Sequence, residues 1–356
     1  MTVIKSENFE KVQGACTFSI EKGAGIKVER NFKANKNVAP IPCREFHGVL
    51  CEMGGMEIIM IKQKQMKEYL TAYLFILPNL LGFLVFILIP VIFSLFLSFS
   101  DWDLFSGIKG IKFAGLENFQ EMAQSPIVIK SLVNNILFSL ITVIFIVVLA
   151  LLLALLLNKN LFAKSFLRGM FFFPYVSNIV ALCIVWMALF NSQSGPINLL
   201  LKQLGIDNPP GWLTSHFWAL PSIMIVTIWI NVGYVMVIYL AGLQGVPGEL
   251  YEAAQIDGAN AFKKFYHVTL PCLSPTTFFV VIITLINSFK VFGPVNIMTH
   301  GGPGDSTHVL VYYIYITAFR HYRMGYSAAM AWVLFIIIFA ITIIQWKGQK
   351  KWVNYS

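Results

Sequence analysis

The sequence predicts an all-α integral membrane protein with six transmembrane helices. Three observations carry this reading. Only 12% of the 356 residues are charged, about half the share in an ordinary soluble domain. The mean hydropathy is +0.71. Charge-free windows run over 70–100, 131–158, 169–201, 208–248, 265–289 and 324–346, each at or beyond the ~20 residues a helix needs to cross about 30 Å of hydrocarbon.

Residues 1–60 stand outside that pattern. They mix eight basic with seven acidic residues and scattered glycine, and no apolar stretch reaches signal-peptide length. They are expected to be a poorly structured N-terminal extension. It is read as a cytosolic regulatory segment, or else as a tail without function or the product of a start codon placed too early, since Met60-Ile-Lys-Gln-Lys itself resembles a short basic membrane-protein N-terminus. The membrane domain then covers 61–356.

Spans are expected at 70–99, 131–157, 169–190, 217–243, 270–292 and 325–345. The first carries Pro78 and Pro90, so a kink or an interfacial start is expected there. Six spans put both termini on one side. Lys62, Lys64, Lys67, Lys159, Lys164, Arg168, Lys263, Lys264, Lys347, Lys350 and Lys351 flank one face of the membrane, against Lys109, Lys112, Lys130, Lys202, Arg320 and Arg323 on the other. Eleven against six makes the termini and the 244–270 loop cytoplasmic. The net charge of +9 is therefore topological and does not indicate a nucleic-acid surface.

Chemistry is sparse. No Gly-Lys dipeptide exists, so there is no phosphate loop of the GxxxxGK[ST] kind, and neither HExxH nor GxSxG occurs. Cys16, Cys43, Cys51, Cys183 and Cys272 form no CxxC pair, which gives no metal or redox spacing. No catalytic residue, metal ligand or cofactor is expected. Gly301-Gly302-Pro303-Gly304 reads as a tight turn, and the loops at 191–216 and 293–324 are long and face outside.

The polar stretch ELYEAAQIDGANAFKKFYHVTLP, Glu249 to Pro271, sits between the fourth and fifth windows. Pro247 suits a helix's first turn, and Glu249 and Glu252 suit its positive end. Leu250, Ala253, Ala254 and Asp257 share one face. Gly258 is a natural left-handed stop, and Asn260 can cap a second short helix that bears Phe262, Phe265, Tyr266 and Thr269 on one side. Periodicity alone leaves two readings open: an amphipathic element lying on headgroups, or a docking element for another protein.

Two polar stripes mark the spans. Thr227, Asn231 and Tyr234 fall on one face of the fourth, and Thr284, Asn287 and Ser288 on one face of the fifth. Both lie roughly 15–30 Å from the cytoplasmic ends at 1.5 Å per residue. Interhelical hydrogen bonding would account for one or two such groups; two facing stripes with a tyrosine suit sugar hydroxyls and an aromatic contact. Lys290, near the outer end, is expected to snorkel, the other reading being a contact to an anionic substrate.

Glu252-Ala253-Ala254, three residues, Gly258, nine residues, then Val268-Thr269-Leu270-Pro271 resembles the EAA signature of ABC importer permeases, with Val268 in place of the usual isoleucine. The stretches YLFILPNLLGFLVFILIP, FFFPYVSNIVALCIVWMALF, AGLQGVPGELYEAAQIDGA and NIMTHGGPGDST look like the carbohydrate-uptake branch, first-permease-subunit type. The resemblance implies a type I importer permease in a bacterial cell membrane. It implies a sugar or sugar-derivative cargo, a second permease subunit, an ATPase dimer and an extracytoplasmic sugar-binding protein. It makes 244–271 the coupling loop, with Glu252, Ala253, Ala254, Asp257, Gly258 and Pro271 facing the ATPase, and puts sugar-lining positions on the two stripes. Other classes are an ion-coupled secondary carrier, against which stand a missing inverted repeat and missing buried acids, and a membrane-embedded transferase, which would need acidic metal ligands.

Overall fold

Backbone amides in hydrocarbon have no water to bond, so an apolar chain there closes its hydrogen bonds within helices. The computed structural model describes residues 16–19, 27–30, 69, 71–159, 163–351 and 353. The chain divides into two units, Met1–Gly82 and Phe83–Ser356. In the first, β1 (Cys16–Ser19) and β2 (Lys27–Arg30) pair antiparallel, Cys16 opposite Arg30. The rest of the expected 1–60 extension lies outside the described residues.

Among the described residues, five helices are long and apolar enough to cross a membrane: α1 (Thr71–Ser98), α3 (Pro126–Asn158), α7 (Ala219–Gln244), a stretch Ser274–Met298, and α13 (Met324–Gly348). Short elements join them. These are β3 (Ser100–Asp101) paired with β4 (Lys112–Phe113), α2 (Glu117–Gln124) and α6 (Pro196–Gln203). Where a kink or an interfacial start was expected, α1 has a π-helical turn at Leu84–Leu88, two residues before Pro90. A wider turn is one way to seat a proline whose ring would strike the preceding carbonyl.

The third span differs from expectation. It is not one rod over 169–190 but two helices, α4 (Lys164–Val176) and α5 (Ile179–Leu189), bent by 98°. Pro174 removes a backbone donor near the end of α4, and the break is capped locally. The Ser177 hydroxyl donates to Phe173 O at 2.8 Å, and the Asn178 side chain accepts from Val180 N–H at 2.8 Å. The fifth span is also discontinuous: α10 (Ser274–Phe289) gives way to α11 (Gly293–Met298). Beyond it an unanticipated apolar helix, α12 (Leu310–Phe319), occupies part of the expected 293–324 loop.

α3, α7 and the foot of α10 form the main core. Ile146, Ala150 and Ala154 pack in one buried cluster with Val235, Met236, Tyr239, Leu243, Leu273 and Val280; small residues four apart on α3 permit close approach. α4 crosses α7 closer still. A Cβ on Gly233 would run into the backbone carbonyl of Phe171, so that position requires a residue without a side chain. At the far end of the spans, polar groups of α3 hold the 299–309 loop. The Lys130 ammonium donates to Gly304 O at 2.7 Å, and the Asn134 amide donates to His308 O at 2.9 Å and Ser306 O at 3.2 Å. Arg323 forks onto both carboxylate oxygens of Glu121 at 2.6 Å and lies over the Tyr326 ring.

Two predictions follow from these contacts. Gly233→Ala should destabilise the protein by about 1–3 kcal/mol, the cost of forcing atoms into a packed contact, seen as a lower Tm in detergent. The hydrogen bonds from Arg323 hold the Glu121 carboxyl below its ordinary range. Its contribution is therefore present above the ordinary glutamate pKa and fades as pH falls through the depressed one. Both side chains are about half exposed (45% and 48%), so the pair is worth at most about 1 kcal/mol. Glu121→Gln should lower the Tm slightly at neutral pH, and wild type and variant should converge in acid.

Candidate functional site

The two polar stripes meet. Thr227, Asn231 and Tyr234 on α7 and Thr284, Asn287 and Ser288 on α10 all line one cavity of about 330 Å³. Thr142 and Ile146 of α3, Tyr175 and Ile179 from the α4–α5 break, and Phe292 and Pro294 from the α10–α11 break complete it. All six residues expected from the stripes therefore come together at one place.

The hydrogen-bond state of the lining separates structural polar groups from available ones. Asn231 Nδ2 donates to Thr227 O at 2.8 Å, Ser288 Oγ to Leu285 O at 2.8 Å and Thr142 Oγ1 to Phe138 O at 2.6 Å. These bonds lie within single helices, so they are not the interhelical bonding that the polar stripes could have served, and the oxygens remain free to accept. The hydroxyls of Thr227 and Thr284 are different. The residues are 9% and 6% exposed and neither Oγ1 has a partner. A buried hydroxyl without a partner costs about 1–3 kcal/mol, and polar groups at membrane depth are normally satisfied by protein, water or ligand.

Tyr175 was missed by the stripe argument. It stacks on Tyr234 with ring centroids 4.3 Å apart and planes 10° from parallel. Pro174 and the bend that follows deliver it to the cavity; the proline was visible in the sequence, the 98° turn was not. Thr142 was missed as well, because one threonine in an apolar window carries no face. Lys290 caps α10 outside the cavity and is exposed.

The 244–270 loop is helix, turn, helix as expected. α8 (Gly248–Ile256) starts after Pro247, which is its N-cap and not part of its first turn. Ala259 N–H bonds Ala254 O at 2.9 Å and Gly258 N–H bonds Gln255 O at 3.1 Å. That is the pairing of a Schellman stop, and Gly258 has the φ of +71° it requires. Asn260 accepts from Lys263 N–H at 2.9 Å and caps α9 (Ala261–Lys264). A π turn (Phe265–Thr269) and a short turn (Leu270–Cys272) lead to α10. Glu252, Ala253, Ala254, Asp257 and Gly258 cluster on α8 and its end, with none of them buried; Pro271 stands apart at the foot of α10. α8 buries no residue, and Ile256 and Phe262 are 87% and 74% exposed. Among the described residues no group of His, Cys, Asp or Glu could hold a metal ion.

Residues 146–346 match the family of binding-protein-dependent transport system inner membrane components. The chain belongs to this family. It is 37% identical to the probable ABC transporter permease protein YurN of Bacillus subtilis, over 78% of this chain and 95% of that one. It is 35% identical to the probable starch degradation products transport system permease protein AmyD of Thermoanaerobacterium thermosulfurigenes, over 82% and 98%. Its fold is shared with a bacterial alginate ABC transporter solved in complex with an alginate pentasaccharide-bound periplasmic protein, at TM-score 0.70 and 23% identity, over 81% and 96%. The chain is thus a multi-pass ABC importer permease, a transport subunit and not the ATP-hydrolysing one. The ion-coupled carrier and transferase readings fall with that assignment.

The unpartnered hydroxyls make a specific expectation. Thr227→Val and Thr284→Val should keep or raise the Tm, since each removes a buried orphan group at nearly constant shape. Both should nonetheless impair transport by the assembled importer. A residue serving only the fold would show the opposite pattern.

Proposed function

We propose that this permease forms half of the translocation pore of an ATP-driven sugar importer and that its cavity takes a sugar unit in transit. The observation that carries the reading is the lining itself: two buried hydroxyls without partners, four further polar side chains and a stacked tyrosine pair in one space. Sugars present hydroxyls in several directions and apolar ring faces, so such a mixture of few placed polar groups and aromatics suits them. The permease relatives include one named for starch degradation products, which fits the same cargo class.

The remaining roles follow from the loop. Glu252, Ala253, Ala254, Asp257, Gly258 and Pro271 would meet a separate ATPase dimer, a second permease subunit would close the other half of the pore, and an extracytoplasmic binding protein would deliver the sugar. The alginate transporter's complex with a periplasmic protein supports the last of these. Lipid surrounds the spans. Both termini and the 244–270 loop lie in the cytoplasm, supported by the lysine and arginine bias. Residues 1–59 add nothing needed for insertion or uptake, and the functional domain runs from about 61 to 356.

Three experiments test these assignments. With the importer reconstituted in proteoliposomes, Asn231→Leu and Asn287→Leu should lower ATP-driven uptake of labelled oligosaccharide about ten-fold or more while assembly stays normal; collapsed assembly with normal residual uptake would overturn the cavity's role. Glu252→Ala should fail to retain the ATPase on co-purification, because a groove cation left unpaired costs about 2–5 kcal/mol when buried. Gly258→Val should fail too. No atom blocks a Cβ there, so its cost is backbone, roughly 1–2 kcal/mol for the left-handed conformation, together with a re-aimed helix. Expression from Met60 should leave insertion and uptake intact.

A further inference from the structure

We propose that a hydrogen bond between Tyr251 and Thr269 is the brace that turns the docking helix α8 and the foot of α10 into one mechanical body. Tyr251 is then a positioning residue for coupling. This rests on the reading that α8 docks the ATPase.

The need for a brace comes from how α8 is hung. The helix buries none of its residues. Gly248 opens the helix and Gly258 follows its C-cap, Asp257, and neither has any atom outside its immediate backbone within 4 Å of the place a Cβ would occupy. A helix joined to its spans through two unpacked glycine positions would pivot when pushed, and the push would be absorbed in backbone torsion.

Two side-chain bonds close the angle. Lys264 Nζ donates to Gln255 Oε1 at 3.0 Å, but this pair is exposed; water competes for it. Tyr251 Oη and Thr269 Oγ1 are 3.0 Å apart and part-buried, and Thr269 is only 4% exposed. A bond sheltered from water holds its geometry better than one in it. Thr269 is also where the load would enter the span. It is the last residue of the π turn, and its carbonyl accepts the Leu273 N–H at 2.9 Å. Leu273 is buried in the main core with Leu240 and Leu243 of α7. Motion of α8 thus passes through one tyrosine hydroxyl to the base of the helix that carries Thr284, Asn287 and Ser288.

The test uses the complete importer in proteoliposomes, with Tyr251→Phe, Thr269→Val, the double variant, and Thr269→Ser. Co-purified ATPase, ATP hydrolysis and labelled oligosaccharide uptake are measured together. Tyr251→Phe and Thr269→Val each remove one hydroxyl at almost constant shape. Both should retain the ATPase, while sugar carried per ATP falls about three- to ten-fold, the size of one sheltered hydrogen bond. The double variant should be no worse than Thr269→Val, since both variants remove the Tyr251–Thr269 bond and Thr269→Val alone also removes the 3.4 Å bond from Thr269 Oγ1 to Lys264 O. Thr269→Ser, which keeps the hydroxyl, should restore the wild-type ratio. An unchanged ratio in both single variants overturns the brace, and so does an additive double variant. Loss of ATPase retention in Tyr251→Phe would place the hydroxyl in the docking contact and also overturn it. If Glu252→Ala retains the ATPase and full uptake, the docking reading itself fails and the brace with it; a defective Glu252→Ala beside normal Tyr251→Phe sinks the brace alone.

Discussion

Everything in this structure follows from the rule that backbone and side-chain polar groups inside hydrocarbon need partners. Continuous helices satisfy it by themselves, and α1, α3, α7 and α13 do so. The informative places are where helices stop at membrane depth. α4 stops at Val176 and α5 restarts at Ile179, with Ser177 and Asn178 bonding the loose ends. α10 stops at Phe289, and Asn135, fully buried on α3, serves that end: its Nδ2 lies 3.5 Å from Phe289 O, and its Oδ1 accepts the Leu310 N–H at 3.2 Å. Both breaks border the cavity, which Ile179, Phe292 and Pro294 help to line. Interrupted backbone and polar cavity occur together because each supplies what the other lacks: the break opens space, and the space holds polar groups that an unbroken lipid-facing helix would exclude.

The second organising fact is connectivity. The polar loop joins α7 to α10, the two helices that bear the paired stripes. From the foot of α7 at Leu243 to Tyr234 is about 14 Å along the helix, and from Leu273 to Thr284 about 17 Å. The intervening turns are packed against α3 in one core, and packed cores shift between discrete arrangements more readily than they deform. On the proposed docking role of the loop, a change imposed there would reach the cavity as displacement of whole helices. This gives the EAA-type loop a physical reason for its position as well as its composition.

How much of this was legible beforehand varies by element. The six windows, the two stripes and the glycine stop were readable because each depends on residue type at fixed spacing: charge exclusion, a 3.6-residue period, a left-handed φ. The bend at 177–178 was not, since a charge-free window looks the same straight or broken. Nor was the packed face of α3, where Ser131, Asn135, Phe138, Thr142, Ile146, Ala150, Ala154 and Leu157 are buried at helical spacing. In water such a face would show as an apolar stripe against a polar one; against lipid both faces are apolar and the contrast disappears. Tyr175 and Thr142 were lost to the site for these two reasons. The helix α12 was overlooked because ten apolar residues are too few to span and were absorbed into a loop.

If the cavity is the transit site proposed above, its lining bears on how cargo leaves it. Thr227 and Thr284 bury hydroxyls with no partner, a standing cost of about 1–3 kcal/mol apiece that the well-packed α3–α7 core can carry. Each Oγ1 is fully buried, so a ligand would recover that cost only where movement of α7 or α10 uncovers the hydroxyl. Ser288 and Thr142 have committed their single hydroxyl protons to backbone carbonyls and offer acceptor lone pairs, whereas Asn231 has used one of its two amide N–H donors on Thr227 O. The Asn231 and Asn287 amides, the hydroxyl oxygens and one aromatic stack offer contacts that are each modest. A tight, charge-assisted site would hold its cargo against the motion that must release it. A lining of hydroxyls, amides and tyrosine rings can be pulled apart when α7 and α10 move, which is what import requires of it.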